Sequence, residues 1–305
     1  MHAWEQIQIT IDYIEEHVSE EIKIENLAKI ASLSQFYYQR LFSRLVKRPV
    51  NEYIRLRRLA KASEALLNNN KRILDIALDF GFSSHETLTR TFKDAFGMTP
   101  EDFRANPVRL NNFVKPQLLL NYTLVDENVP LISDGIVLEI TRKNISSPQY
   151  FIGLIEEEPI DQMPGGGETG IDALGKLWDT FHDHKTSIQE LKADGDELGV
   201  AYSGTKEGYY RYFAGAQAVS NEPPEGYFSW ELPEGEYIVC SFEAEDFEQL
   251  LMDAVYKAHK YVFDTWLPNH KIVSKPFAVE RYASHSPETT SMEVWVMPVP
   301  LSKTK

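Results

Sequence analysis

An all-α domain followed by an α+β domain is what this sequence of 305 residues predicts, and three observations carry the prediction. One helical pattern occurs twice between Ser34 and Phe96, the second copy fifty residues after the first. Near Gly135 the apolar residues stop recurring every three or four positions and begin to alternate, the change from helix to strand period. The alternating half then runs twice through the order strand, strand, helix, strand, strand. Two helix-turn-helix motifs are therefore expected in the first part, and two similar halves sharing a curved antiparallel sheet, with both helices on one face, in the second.

The elements follow in order. From Trp4 to Val18, Ile7, Ile11, Ile14 and Val18 recur at the spacing of a helix packed on one side. The first motif has an amphipathic segment with Ala28 at its middle, a break at Ser32-Leu33, and the helix Ser34-Gln-Phe-Tyr-Tyr-Gln39-Arg40-Leu41-Phe42. The second has Ala77, the break Gly81-Phe82, and Ser84-His-Glu-Thr-Leu-Thr89-Arg90-Thr91-Phe92. Steeply crossing helices need a small residue where their backbones approach and a turn that tolerates an unusual dihedral, which Gly81 supplies better than Ser32. Tyr38, Leu41, Phe42 and Leu45 fall on one face of the first second-helix, and Leu88, Phe92, Ala95 and Phe96 on one face of its repeat. These make core. The opposite faces carry Phe36, Gln39 and Arg40, and Glu86, Arg90 and Lys93.

A helix from Pro49 to Asn68 joins the motifs and stops at Asn68-Asn69-Asn70. At about 1.5 Å per residue it spans roughly 30 Å, close to the ~34 Å between successive major-groove segments on one face of B-DNA. From Arg40 to Lys61 the basic residues Arg40, Arg44, Lys47, Arg48, Arg55, Arg57, Arg58 and Lys61 face a single acid, Glu52, a pattern that suits phosphate contact or a solvated face. A final helix is capped by Thr99 with Pro100 at its first position.

These residues, above all Gln39-Arg40-Leu41-Phe42, Ile76-Ala77 with Gly81-Phe82, and Phe96-Gly-Met-Thr-Pro-Glu-Asp-Phe-Arg104, resemble the DNA-binding domain of the AraC/XylS family of bacterial transcription regulators. The resemblance covers residues 4–104 and implies operator double-stranded DNA and RNA polymerase as partners, with no cofactor. The DNA face it implies comprises Phe36, Gln39, Arg40 and Arg44 from the first recognition helix and Arg55 from the connecting helix, with Ser84, His85, Glu86, Thr87, Arg90 and Lys93 from the second. Ser83-x-x-Glu86 also reads as a capping box, which would tie Glu86 to the helix start.

The net charge of −15 divides unevenly. Residues 1–110 hold 16 basic and 15 acidic residues, and the remainder 15 and 31, so the acidity lies outside the DNA-binding part. An acidic second half suits solubility or a cationic ligand rather than nucleic acid. No apolar run reaches membrane-spanning length, the start lacks the shape of a signal peptide, and the single cysteine, Cys240, sits in an apolar strand. A cytoplasmic protein without a membrane partner is expected.

The stretch 108–134, with two prolines and no helical period at its start, is expected to link a domain of residues 1–107 to one of residues 135–301, with 117–134 loosely packed. Strands are predicted at Val137–Arg142, Tyr150–Ile155, Leu198–Ser203, Tyr210–Ala216, Tyr227–Trp230, Tyr237–Phe242, Phe277–Tyr282 and Met292–Met297. One helix is expected around Leu174, Leu177, Trp178 and Phe181. A second, capped by Asp246 with Gln249, carries the stripe Phe247, Leu250, Leu251, Ala254, Val255, Ala258 and Val262.

Leu177-Trp178, Leu198-Gly199-Val200, Tyr212-Phe-Ala-Gly215, Thr265-Trp266-Leu267-Pro268, Phe277-Ala-Val-Glu280-Arg-Tyr282 and Glu293-Val-Trp-Val-Met-Pro298 resemble the GyrI-like effector-binding domain. That resemblance implies a pocket for a small-molecule effector of apolar and cationic character. Ala278, Glu280 and Tyr282 share one strand face, and Trp178, Tyr212, Trp230 and Trp266 lie near it in the family layout, so a lipophilic cation could gain both charge attraction and cation-π contact. The alternative is a hydrolase of electrophilic cytotoxins with Glu280 as general base. Gly165-Gly-Gly-Glu-Thr-Gly170 lacks the Gly-Lys-Ser/Thr of a phosphate loop and reads as a helix lead-in; His182 and His184 lack a third metal ligand.

Overall fold

A computed structural model describes residues 2–68, 71–133, 135–163, 169–282 and 289–299. They form two compact units, one of residues 1–122 with 164–172 and the other of residues 123–163 with 173–305. The lead-in at Gly165 to Glu168 lies outside the described residues.

The first unit contains α1 (Ala3–Glu16), α2 (Ile24–Ile30), α3 (Gln35–Val46), α4 (Val50–Asn68), α5 (Ile73–Asp79), α6 (His85–Phe96) and α7 (Pro100–Ala105). Its two helix-turn-helix motifs are built alike down to the dihedral. Ser32 and Gly81 take the left-handed conformation at φ 55° and 71°, and Leu33 and Phe82 donate back to Ala28 and Ala77 at 2.9 and 2.8 Å. Both alanines are buried. Helices α3 and α6 end in a second left-handed pair, Lys47 and Gly97. Two apolar cores result, one around Ile11, Tyr38, Phe42 and Tyr53, the other around Leu66, Ile76, Phe92 and Phe103. Helix α4 feeds both, with Tyr53 in the first and Leu59, Ala62 and Leu66 in the second.

Beyond α7, Leu110–Asn111 forms β1 and Leu118–Tyr122 forms α8. Leu118 and Leu120 are buried, and the Leu118 N–H donates to Gln8 Oε1 at 2.8 Å. The expectation of loose packing from residue 117 is thereby corrected. Side chains distant in sequence hold a segment that has no helical period of its own: Trp266 donates to the Val125 carbonyl at 3.1 Å, and the Val125 N–H to Tyr261 at 3.2 Å.

The second unit opens with β2 (Leu131–Ser133), β3 (Ile136–Ile145) and β4 (Gln149–Pro159). Gly170–Ile171, β5, belongs to the first unit and pairs there with β1. Then come α9 (Ala173–Lys185), β6 (Glu197–Ser203), β7 (Tyr209–Gln217), β8 (Phe228–Leu232) and β9 (Gly235–Glu243). A long helix, α10 (residues 247–269), leads to β10 (Phe277–Tyr282) and β11 (Ser291–Val296). All eight predicted strands form, and with β2 they make one antiparallel sheet in the order β2-β3-β9-β11-β10-β6-β7-β4-β8.

Register decides which side chains share a face. Glu280 pairs with Gly199 and Val294, Gly199 with Ala214, and Val294 with Cys240, so these residues look to one side. Helix α9 packs there through Leu177 and Phe181, and α10 sends His259 to Glu280, so both helices cover the same face. The other face holds its own core of Phe151, Val200, Phe213, Val239, Val279 and Trp295. Trp230 on β8 lies 4.9 Å from Tyr202 on β6 and 5.8 Å from Phe277 on β10, strands well apart in the sheet order. The sheet is rolled about this second core.

Helix α10 departs from the simple α-helix expected. Asp246 caps it, accepting from the Gln249 N–H at 2.8 Å, and Leu250–Ala254 and Tyr261–Trp266 are π-helical. Its buried row, Leu250, Ala254, Ala258, Val262 and Trp266, recurs every four residues. An ideal α-helix would rotate such a row by about 40° per step. The wider turns keep it aimed at the sheet.

Candidate functional site

On α3, Gln39, Arg40 and Arg44 are exposed, and Phe36 is 67% exposed. Sequence reasoning missed Tyr37, 63% exposed, which meets Phe36 edge-on at 5.6 Å; its place beside the core residue Tyr38 disguised it.

On α6, Glu86, Arg90 and Lys93 are exposed. The helix is capped by Ser84, not Ser83. Ser84 Oγ accepts from the Thr87 N–H at 3.2 Å, which gives Ser84 and Thr87 a structural role at the helix start. Hydrogen bonds from Ser84 and from its own backbone N–H hold the Glu86 carboxyl below its ordinary range. His85 Nε2 lies 2.7 Å from Glu101 Oε1, so the imidazole is tethered sideways rather than free.

The basic run sorts by face. Arg57 forms a two-pronged pair with Glu15, with contacts at 2.8 Å and side chains only 12% and 14% exposed, and also donates to the Phe113 carbonyl. Arg58 clamps three backbone carbonyls, of Val18, Glu20 and Gly81, and fills the space that a Cβ at residue 81 would need. Lys61 pairs with Glu64 and Arg48 with Glu52. Arg40, Arg44, Arg55 and Arg90 enter no salt bridge among the described residues and are exposed. These four remain available to an anionic partner.

In the second unit, a polar group lies beneath the helices. Glu280 Oε2 accepts from the Tyr212 hydroxyl at 2.5 Å, and Oε1 lies 2.8 Å from His259 Nε2. Burial opposes ionisation here, but the hydrogen bond and charge of His259 and the bond from Tyr212 outweigh it, leaving the carboxyl below its usual range. An ionised carboxylate only accepts, so the proton between them belongs to Nε2. Trp178 Nε1–H donates to the Tyr212 oxygen at 3.3 Å, and its ring lies 5.5 Å from Tyr282. Gly199 makes this possible, because a Cβ there would sit 2.0 Å from the Tyr212 hydroxyl. Glu280 keeps 19% of its side chain exposed.

Beside this group, Glu197 is 1% exposed and bound by His182 at 3.0 Å and Lys185 at 2.5 Å, with a further bond from Tyr282. Burial opposes its charge as well, and the two cationic partners overcome it, so its carboxyl is also held low. Burial and the neighbouring carboxylates push the Tyr212 and Tyr282 hydroxyls well above their ordinary value.

Of the six residues expected around an effector, the structure gathers Trp178, Tyr212, Glu280 and Tyr282. Trp230 is corrected to the opposite face, since it pairs with Phe151, whose side chain joins the second core. Trp266 is buried on α10, where it stacks on His270 at 4.0 Å and bonds to Val125. Sequence reasoning missed His259, a lone histidine between two lysine-bearing positions of an amphipathic helix. Its partner strand follows only after a turn, and no local spacing links the two.

On the face opposite Glu280 lies an open polar cavity of about 540 Å³, lined in part by Lys143, Gln149, Asp196, Arg281, Glu293 and Trp295. Its charges are mutually compensated. Arg281 pairs with Asp196 at 2.5 Å and Lys143 with Glu293 at 2.6 Å, and both cations lie over the Trp295 ring. Cys240 is buried, which pushes its thiol up and leaves it unreactive.

Twin helix-turn-helix motifs on one connecting helix, with a separate unit holding a carboxylate among rings, define a DNA-binding regulator with a ligand-binding module. The sequence profile of a helix-turn-helix domain matches residues 27–106, and that of the GyrI-like small molecule binding domain matches residues 149–298. The chain is 39% identical over 98 residues to the regulatory protein SoxS of Salmonella typhimurium, covering 32% of this chain and 92% of SoxS. It is 44% identical over 104 residues to the HTH-type transcriptional regulator YbfP of Bacillus subtilis, 34% of this chain and 35% of that protein. With the Right origin-binding protein of Escherichia coli K12 it shares 32% identity over 131 residues, 43% of this chain and 45% of that one. The chain belongs to the AraC/XylS family of helix-turn-helix transcription regulators, and its second half is a GyrI-like small molecule binding domain.

Proposed function

We propose that this regulator is effector-controlled: residues 1–107 read operator DNA, and residues 135–301 bind a small molecule at the Glu280 group, whose occupancy alters transcription through RNA polymerase. The observation that carries the effector reading is an ionised carboxylate, part exposed, set among Trp178, Tyr212 and Tyr282. Such a site favours a lipophilic cation, which gains charge attraction and ring contact together. On the DNA side, Phe36, Gln39, Arg40 and Arg90 are the base-reading candidates, and Arg44, Arg55 and Lys93 the phosphate-contacting ones.

Hydrolysis with Glu280 as general base fits this geometry less well. A general base must stand deprotonated and yet bind a proton with an affinity matched to the working pH, whereas both oxygens of Glu280 face donors and its proton affinity is depressed. The test is operator binding by the full chain, followed by fluorescence anisotropy, with and without a panel of lipophilic cations. Altered operator affinity or promoter output supports effector control. No response in either, with no ligand bound, would leave a regulator without an effector.

A further inference from the structure

We propose that His259 is a protonatable latch on Glu280, so that a cationic effector binds by displacing the imidazolium charge and releases one proton to solvent. The inference rests on the reading of the Glu280 group as the effector site. A cation approaching Glu280 does not meet a bare carboxylate. Oε2 is held by the neutral Tyr212 hydroxyl, which can stay while a cation shares the oxygen. Oε1 is held by His259, whose ring is 24% exposed and stacks on Phe263 at 6.0 Å. When His259 is charged it already supplies the countercharge, and two cations cannot neutralise one carboxylate without repelling each other.

The groups facing Glu280 from each packed element single out His259 as the switch. Strand β7 contributes Tyr212, β10 Tyr282 and β6 Glu197, while α9 contributes Trp178 and His182, and α10 His259. Lys257 on α10 is directed to Asp253, and Lys185 on α9 to Glu197. Both tyrosines keep their protons far above neutral pH, and both carboxylates lose theirs well below it. That leaves the two histidines, the side chains whose ordinary titration falls in the neutral range. His182 pairs with Glu197, and His259 is the histidine paired with Glu280 among the described residues.

Linkage fixes the sign. Cation and imidazolium compete for one carboxylate, so protonation of His259 weakens the cation, and the cation by reciprocity expels the proton. Affinity for a cation rises with pH until His259 is neutral. A neutral ligand of the same shape leaves the pair intact and shows no such dependence. The latch sits on the short α-helical stretch Val255–Lys260 between two π-helical stretches, a geometry that recurs at functional sites.

The experiment uses the full chain with benzyltrimethylammonium and its carbon isostere neopentylbenzene. Calorimetry at pH 6 in two buffers of different ionisation enthalpy should show proton release on binding the cation, approaching one per site and fading by pH 8.5. The cation's Kd should fall severalfold from pH 6 to pH 8, and that of neopentylbenzene should not move. His259→Gln keeps a donor to Glu280 without a titration, and should abolish both the release and the pH dependence; His182→Gln should retain them. Cation binding without proton release overturns the latch while leaving the effector site standing, as does release that survives His259→Gln. If neither probe binds, the effector reading fails and the latch with it. Calorimetry on the unsubstituted chain decides the matter even if His259→Gln does not fold.

Discussion

Keeping Glu280 charged beneath two helices works against desolvation, and two donors overcome it. Glu280→Gln preserves volume and removes the charge. It should weaken a cationic ligand by about 1 kcal/mol or more, the scale of a charge-assisted hydrogen bond, and leave a neutral isostere and operator affinity unchanged. Equal losses for both ligands in calorimetry would make the residue structural. Gly199→Ala tests the same contact from beneath, because its methyl group would overlap the Tyr212 hydroxyl. Cation affinity should drop while the helical unit melts unchanged. In the first unit, Arg40→Ala should cost about 1–3 kcal/mol of discrimination between operator and random DNA. An unchanged ratio of the two affinities would remove Arg40 from base reading.

Helix α4 shows how one element divides its charge between structure and partner. Arg55 is exposed and outside any salt bridge among the described residues, whereas Arg57 and Arg58 hold the fold together through Glu15 and three carbonyls. Arg55→Ala should weaken binding to all DNA sequences alike and reduce the salt slope by about one. Arg57→Ala should instead destabilise the helical unit by about 3 kcal/mol, since it strands a mostly buried Glu15. Denaturant melts and salt titrations of the two variants separate these outcomes, and a reduced slope for Arg57→Ala would reverse the assignment. Cap loss is a smaller effect. Ser84→Ala should cost about 1 kcal/mol of stability, visible as a lower melting midpoint of the second motif.

For the second unit as a whole, the two depressed carboxyls set the response to acid. A group whose folded pKa lies below its unfolded value contributes stability that is present above the unfolded pKa and lost as pH falls through the folded one. Glu197 and Glu280 are both of this kind. Stability should therefore hold from neutral pH down to about 4.5, the ordinary glutamate range, and decline below it. Glu197→Gln should lower stability at pH 7 by about 2 kcal/mol, less than a fully buried pair because His182 and Lys185 keep access to water. It should also flatten the acid limb of the urea midpoint plotted against pH. An unaltered limb would place the acid sensitivity elsewhere.

Periodicity alone specified the α-helical and α+β parts, the two helix-turn-helix motifs and eight of the nine strands of the large sheet, because the spacing of apolar residues along each element sets which of them share a face. Gly81 announced its left-handed turn, which Ser32 matches in the structure, and the alternation of Ala278, Glu280 and Tyr282 announced their common face. Tertiary structure alone decided the rest. Trp230 went to the far side because strand register, not composition, assigns faces. Arg57 found Glu15 rather than a neighbour on its own helix, and His259 met Glu280 across a helix-to-sheet contact that no spacing encodes. The connector after residue 117 gained its order from Gln8, Tyr261 and Trp266, side chains more than a hundred residues away in the chain. A buried charge is satisfied by whichever donor the completed fold brings to it, and for Glu280 the sheet supplied Tyr212 and the packing of α10 supplied His259.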